Sequence, residues 1–479
     1  MRRSPPLFRT KPIETNLSAD TGLHRSLTAF DLTVMGIGAI IGAGIFVLTG
    51  ISAATEAGPA IVLSFVLSGS ACAFAALSYA ELASTVGGAG SAYGYGYAAL
   101  GELPAWIIGW MLILEYIVAI STVAVGWSGY VHDGLASVGL AIPPQLLHGP
   151  FDPQAPGLID LPATLIIVAL GLLLANGAKV SARFNAVVVT IKLIAIAIFI
   201  AVALKHLNPA LWHPFIPPAQ TAPAGTTHFG VIGIFQGAAL IFFAYIGFDA
   251  VSTAAEETRK PQRDLPIGII GSLAICTILY IVVSALLTGI VPYQSLNVGS
   301  PVAKALLDVG ENWAAGLISI GAIAGLTTVM LVLYYAITRI LFAISRDGLL
   351  PRFLAVVNPR SKSPVRCITL VGATILLLAG FVPINRLAEL TNIGTLGAFV
   401  VVCAGVIVLR HRHPDLPRGF RTPWSPLIPA LGVLACFGLM TQLQAMTWIA
   451  FAIWLACGLT LYFGYARWHS VLSAAEPSP

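Results

Sequence analysis

The chain has 479 residues, of which 57% are hydrophobic and only 9% are charged. Soluble domains carry about 25% charged residues, so this composition excludes a water-soluble fold and predicts a polytopic membrane protein. The net charge of +5 does not indicate a nucleic-acid partner, because in such a protein the membrane topology distributes the positive charge.

Twelve apolar runs predict twelve transmembrane helices, called spans one to twelve below. They lie near residues 29–50, 60–82, 104–131, 161–177, 183–204, 231–254, 267–291, 314–342, 367–383, 389–409, 427–443 and 446–466. Of the 25 Lys and Arg residues, 21 fall on one side of this arrangement, three on the other and one within a span. The positive-inside rule therefore places both termini in the cytoplasm.

The first 27 residues carry five basic residues and no apolar core, so we expect a cytoplasmic N-terminus without a separate signal peptide. Span one then contains "GIGAIIGAGIF", with glycines at 36, 38, 42 and 44. Small residues let helices pack closely in lipid, and this is our interpretation of Gly36 and Gly38. We interpret Gly42 and Gly44 as an interruption of the helix.

Span six contains a second glycine break, "FFAYIGFDA". Spans one and six open two consecutive sets of five spans, predicted as repeats over residues 28–204 and 231–410, with two further spans and a cytoplasmic C-terminus over 411–479. A five-span unit repeated directly must be inverted in the membrane. Broken helices at matching positions of inverted repeats indicate a binding site near the bilayer midplane.

An interrupted helix exposes carbonyls where one half ends and N–H groups where the next begins. We expect the first half of span one to end near Ile40 and Ile41 and the second to start at Ala43 and Gly44. The N–H groups would bind a carboxylate, and the carbonyls would accept from an ammonium. Together with a break over residues 243–247, this predicts an α-amino acid as ligand.

Three ionisable residues lie inside predicted spans. Lys192 is about 16 Å from either end of its span, beyond the reach of its ~6 Å stem. Because a buried ammonium is costly, we interpret Lys192 as a proton carrier rather than a permanent ion pair or backbone tie. Glu115 either faces the substrate or belongs to a structural network. Asp249 is interpreted mainly as a helix cap.

Several other polar or aromatic features have two interpretations. We expect Thr327 and Thr328 to bond the preceding helical turn, and the alternative is that they line a cation site. Phe243 is either a gate over the site or a core aromatic. The stretch 87–102, rich in Gly and Tyr, is either an amphipathic gate at the inner mouth or a flexible loop. We expect no cofactor, no metal and no enzymatic activity, because no nucleophile triad, phosphate loop or zinc spacing is present.

The motifs "GIGAIIGAGIF", "FFAYIGFDAVSTAAEETRKPQRDLPIGI" and "SRDGLLP" resemble the amino acid–polyamine–organocation superfamily, and most closely its bacterial cationic amino acid transporter branch. The resemblance covers about residues 25–470. It implies the leucine-transporter type of fold, an all-α membrane protein in which spans 1–5 and 6–10 are inverted repeats and two spans are added.

The resemblance also implies roles for individual residues. The substrate carboxylate would meet the amides of Ala43 and Gly44, and Phe243 would close the outer side. Lys192 would replace a sodium ion by bonding carbonyls near Gly38 and Ile41, and Ala43 stands where some relatives have serine. The residues implied or derived for substrate binding are Ile40, Ile41, Gly42, Ala43, Gly44, Phe243, Ala244, Ile246 and Glu115.

The function predicted from the sequence is import of an L-amino acid, cationic or small and neutral, together with a proton across a bacterial inner membrane. The alternatives are an amino-acid exchanger, a sodium-coupled symporter and a non-transporting amino-acid sensor. The expected partners are the amino acid, protons and the lipid bilayer, and a small accessory membrane subunit is left open.

Overall fold

The structure, a computed structural model, describes residues 8–10, 27–86, 91–137, 139–152, 155–177, 182–221, 227–361 and 363–474. These residues are almost entirely helical, as predicted. The all-α prediction needs one correction: in the loop before span six, the strands β1 (Gln220–Thr221) and β2 (Thr227–His228) pair antiparallel. Their backbone groups bond to each other there because the chain reverses direction outside any helix.

The helices follow the predicted apolar runs. They are α1 (Ala29–Ile40), α2 (Thr49–Ser52), α3 (Ile61–Val86), α4 (Ser91–Ala99), α5 (Glu102–Ser137), α6 (Leu161–Ala175), α7 (Ala182–Ala203), α8 (Gly230–Ile241), α9 (Pro261–Ile290), α10 (Pro301–Asp308), α11 (Asn312–Arg346), α12 (Val365–Phe381), α13 (Ile384–Arg412), α14 (Leu427–Met440), α15 (Ala445–Leu461), α16 (Arg467–His469) and α17 (Val471–Ala474).

Within the described residues, eight helical segments are long and apolar enough to cross a membrane. Four shorter apolar helices, α1, α6, α12 and α14, accompany them. This agrees with a polytopic membrane protein. The count of twelve spans and the inverted repeat stay predictions.

Span one begins with a capping box and is interrupted after twelve residues. The Thr28 side chain accepts from the Asp31 amide, and the Asp31 carboxylate accepts from the Thr28 amide. α1 ends at Ile40, and Ile41 is extended, with ψ of 99°. A π-helical turn, Gly44–Leu48, resumes the span.

Span six changes its geometry in the same way. α8 gives way to a 3-10 turn, Phe242–Tyr245, followed by an extended Ile246 and by Gly247 at φ of 117°. Residues with a Cβ rarely adopt that conformation, so the glycine permits the turn. A 3-10 helix, Asp249–Glu257, completes the span.

The inner half of span one is packed tightly between α9 and α7. A Cβ on Gly36 would come within 2.4 Å of the Ser272 hydroxyl, and one on Gly38 within 2.7 Å of Val189. These two glycines therefore serve close helix packing, as interpreted from the sequence. Gly42 differs, because the nearest atom to its added Cβ would be 3.5 Å away, on Val329.

The segment after span two is a helix for most of its length, so the flexible-loop interpretation is wrong for residues 91–99, whereas the role as a gate stays a prediction. Residues 87–90 lie outside the described part, but α4 occupies Ser91–Ala99 and most of its side chains are buried. An amphipathic helix would keep a polar face in water. α4 has little such face because α5 and α13 cover it and because Tyr93 donates a hydrogen bond to Asp347.

A buried carboxylate joins α3 to the end of α13. Glu81 accepts two hydrogen bonds from Arg410, at 2.8 and 2.7 Å, and one from the Thr422 amide at 2.8 Å. Arg418 approaches to 3.3 Å. With only 1% of the Glu81 side chain exposed, loss of this carboxylate would leave the charges of Arg410 and Arg418 without their counter-ion.

We expect Glu81→Ala to destabilise the protein by about 3 kcal/mol, because breaking one side of a buried ion pair leaves an uncompensated charge. The melting temperature of the purified protein measures this. Lys304→Ala is the control: it removes an exposed pair with Asp308, worth less than about 1 kcal/mol. Equal shifts for the two variants would contradict the assignment.

Candidate functional site

The interruptions of spans one and six touch each other in the centre of the helical core. A Cβ on Gly44 would lie 2.2 Å from the Ala244 Cα, and one on Gly247 would lie 2.9 Å from the Ala39 carbonyl carbon. Ala39, the earlier residue of span one, thus contacts Gly247, the later residue of span six, and Gly44 contacts Ala244. The two broken segments therefore run antiparallel, main chain against main chain.

Span one presents unpaired amides at this contact. Among the residues that the structure describes, the N–H groups of Gly42 and Ala43 have no hydrogen-bond acceptor, and Gly44 is the first residue of the π-helical turn. They open the π-helical turn, so they carry the partial positive charge of a helix N-terminus. This arrangement can hold a carboxylate.

Lys192 bonds the carbonyls on the other side of the same interruption. Its Nζ lies 2.8 Å from the Gly38 oxygen and 2.9 Å from the Ile41 oxygen, and the side chain is fully buried. Its stem rests on Gly325 of α11, where an added Cβ would come within 2.8 Å of the lysine Cε. This is the contact pattern that the family resemblance implies.

Two further side chains, which the sequence analysis missed, bond the main chain of the broken spans. The Tyr280 hydroxyl of α9 donates to the Ile40 carbonyl at 2.9 Å. The Asn392 Nδ2 of α13 donates to the carbonyls of Ala239 and Leu240 at 2.7 and 2.9 Å. The sequence shows only that each is a polar side chain within an apolar run, and this does not reveal which group it bonds.

The remaining predicted binding residues of span six are buried at the same contact. Phe243 is 6% exposed and its carbonyl accepts the Ile246 amide at 3.2 Å. The carbonyls of Ile40 and Phe243, expected to meet an ammonium, therefore already accept one hydrogen bond each. A carbonyl oxygen has a second lone pair, so both can accept another.

The structure places Glu115 beside a second acid rather than beside Lys192. Glu115 is 1% exposed, and neither carboxylate oxygen has a hydrogen-bond partner among the described residues. Asp249 is its charged neighbour, and the titratable neighbour of Lys192 is Cys276. Asp249 accepts from the Tyr116 hydroxyl at 3.4 Å and lies at the start of its 3-10 helix, where a cap was predicted.

Both threonines of α11 bond their own helix. Thr327 donates to the Ile323 carbonyl at 2.7 Å and accepts from Trp127 at 3.0 Å. Thr328 donates to the Gly325 carbonyl at 2.8 Å. This is the interpretation that the sequence favoured over a cation site.

The sequence of this chain is similar to those of several known transport proteins. A family model described as amino acid permease matches residues 27–463. A methylthioribose transporter of Bacillus subtilis is 49% identical over 98% of this chain and 99% of its own length. A branched-chain amino acid permease of the same organism is 50% identical over 98% and 99%. A vacuolar cationic amino acid transporter of Arabidopsis thaliana is 39% identical over 85% and 68%.

Gly44→Ala tests the contact between the two interruptions. Its methyl group would overlap Ala244, so we expect a destabilisation of about 2 kcal/mol and weaker binding of any ligand held there. The melting temperature and ligand titrations measure both effects. Gly438→Ala is the matched control, because its added Cβ meets no atom within 4 Å. A wild-type melting temperature for Gly44→Ala would show that the segments do not touch.

Proposed function

The chain belongs to the amino acid permease family, and on that premise we propose that it is a secondary transporter that imports an L-amino acid together with a proton. Membership of this family makes it a transporter rather than an enzyme. The proton coupling, the direction and the substrate are the proposed part. The observation that carries the coupling is the bond of Lys192 to the interruption of span one.

The proton and the substrate act on one short segment. The Lys192 ammonium holds the carbonyls of Gly38 and Ile41, and the free amides next along the chain are those that would take the substrate carboxylate. A neutral amine still has two N–H groups, but hydrogen bonds from a charged donor are roughly twice as strong as those from a neutral one. Loss of the proton therefore weakens the tie on span one and favours a state in which the segment can move. Coupling follows because both ligands discriminate between the two states.

The proposed pose puts the substrate carboxylate on the amides of Ala43 and Gly44. Its ammonium would take the second lone pair of the carbonyls of Ile40 and Phe243, with that of Ile246 beside them. Phe243 would cover the outer side. Ala43 offers no hydroxyl, so the carboxylate would be held by main-chain donors alone.

The close contact between Gly44 and Ala244 has a consequence for binding. The two interruptions must separate slightly to admit a zwitterion between them, so we assign the structure to a conformation in which the site is closed. Ligand binding would then replace a contact between main chains by hydrogen bonds to the carboxylate. This supports the alternating-access mechanism that we propose.

We propose a neutral aliphatic amino acid as the first substrate to test. Two relatives near 50% identity carry names of uncharged or zwitterionic ligands, whereas the cationic transporter is 39% identical. A cationic side chain remains the alternative, with Glu115 as its partner.

Sodium coupling has less support, because Thr327 and Thr328 both donate to carbonyls of their own helix. We place both termini in the cytoplasm from the distribution of basic residues, and the protein in a bacterial inner membrane from its similarity to bacterial permeases.

Lys192→Met tests the coupling. Liposomes with an imposed pH gradient and no internal amino acid should accumulate labelled L-leucine with the wild type and at least tenfold less with the variant, which has no proton to release. Lys304→Met, an exposed lysine, is the control. Undiminished pH-driven accumulation by Lys192→Met would remove the lysine from the mechanism. Uptake driven by a sodium gradient at equal pH would favour sodium symport, and uptake that requires internal amino acid would favour exchange.

A thermal-shift screen tests the substrate class. At 100 times its dissociation constant a ligand stabilises the folded state by about 2.7 kcal/mol, so L-leucine should raise the melting temperature measurably. L-arginine and methylthioribose are the comparison ligands. A shift by L-arginine alone would favour the cationic alternative, and a shift by methylthioribose alone would contradict the proposal of an amino-acid substrate.

A further inference from the structure

We propose that Asn392 is a positioning residue that fixes the interruption of span six by holding the end of α8 to α13. The inference rests on the proposed function, because it assigns Asn392 a part in shaping the same binding site. Nothing in the predicted site or in the family resemblance stated above includes this residue.

The carbonyls that Asn392 bonds lie in the last turn of α8, where the α-helical pattern ends. In a continuous α-helix, the oxygens of Ala239 and Leu240 would accept from the amides four residues later. The chain tightens into a 3-10 turn after Ile241, and that pattern ends. In hydrocarbon an unsatisfied backbone group is costly, so a side chain that donates to these carbonyls stabilises the end of α8.

An asparagine suits this task chemically. Its amide nitrogen carries two N–H groups, and the structure uses one for each carbonyl, at 2.7 and 2.9 Å. The reverse orientation would set its oxygen against two carbonyl oxygens. A serine or threonine could donate only one hydrogen bond, and a carboxylate none. Asn392 is fully buried, so water does not compete for these contacts.

The same helix supports the interruption through an aromatic contact. Phe399, seven residues after Asn392 on α13, packs against Phe242 at 5.8 Å and Phe248 at 5.2 Å between ring centroids. These two rings lie on either side of the Phe243–Gly247 segment. α13 therefore contacts the interruption before and after the residues proposed to bind the ligand.

The two broken spans are thus held by different chemistry. Span one is tied by Lys192, whose hydrogen bonds depend on a proton, and span six by Asn392, whose amide does not titrate. We infer that α8 and α13 move as one unit while the tie on span one is made and released. Loss of Asn392 should then disturb the geometry of span six without removing the proton site.

The test compares Asn392→Leu, Asn392→Asp and the control Thr391→Val in the full-length protein. Thr391 is buried on the same helix, and its hydroxyl donates to the Leu387 carbonyl of its own helix. Hydrogen–deuterium exchange over residues 239–247 is the first measurement. Losing two hydrogen bonds to buried carbonyls should speed exchange there about tenfold or more in Asn392→Leu, with no change in Thr391→Val.

The second measurement is L-leucine uptake as a function of pH, divided by the wild-type value at each pH to remove the titration of Lys192, Glu115 and Asp249. The carboxyl group introduced by Asn392→Asp can donate one hydrogen bond when it is protonated and none when it is ionised. The relative activity of Asn392→Asp should therefore rise as the pH falls, whereas that of Asn392→Leu stays low throughout. A purely structural defect would give both variants the same flat ratio.

Wild-type exchange and uptake in Asn392→Leu would overturn the inference, and so would a flat ratio for Asn392→Asp. If Asn392→Leu does not fold, Asn392→Asp alone gives the pH-dependent exchange at residues 239–247 that decides the question. If the wild type neither binds nor transports L-leucine or any other amino acid, the proposed function fails. The exchange measurement, which needs no ligand, still tests Asn392 in that case.

Discussion

The structure depends on one constraint: a backbone N–H or C=O group inside hydrocarbon must have a hydrogen-bond partner. The chain interrupts two helices in the interior, which creates the groups that this constraint penalises. It then supplies donors from three other helices, with Lys192 on α7, Tyr280 on α9 and Asn392 on α13. The interruptions persist because these side chains take the place of the missing helical hydrogen bonds.

The donors leave an asymmetry that defines the site. At span one, the carbonyls of Gly38, Ile40 and Ile41 all accept a hydrogen bond from a side chain. Among the described residues, the amides of Gly42 and Ala43, which come next, have no hydrogen-bond partner. A segment with satisfied acceptors and free donors selects for an anion. An amino acid supplies one in its carboxylate, and its ammonium needs only the spare lone pairs of neighbouring carbonyls.

The sequence predicted the features that depend on neighbouring residues in the chain or that interrupt an apolar run. The glycines at 42 and 44 indicated the interruption of span one, and Lys192 stood out because it is a charged residue in the middle of an apolar run. The partners of Tyr280 and Asn392 were not predictable, because Thr327 and Thr391 stand in similar apolar runs and their hydroxyls donate to their own helices. The neighbourhood of Glu115 and Asp249 depends on how α5 meets the inner half of span six, which no spacing encodes. The burial of α4 likewise depends on helices far away in the chain.

The position of Lys192 explains why one proton can influence a whole span. Its ammonium bonds oxygens on both sides of the point where α1 ends, so it bridges the hinge of the interruption rather than one arm of it. The lysine stem packs directly on the backbone of Gly325 in α11, where a side chain would collide with it. This packing leaves room for the ammonium to reach span one. A sodium ion at this point would leave when its ligands separate, whereas a lysine stays attached to α7 and can lose only its proton. In the proposed mechanism, the lysine converts a change of protonation into a change in the tie between α7 and span one, next to the amides proposed to hold the substrate.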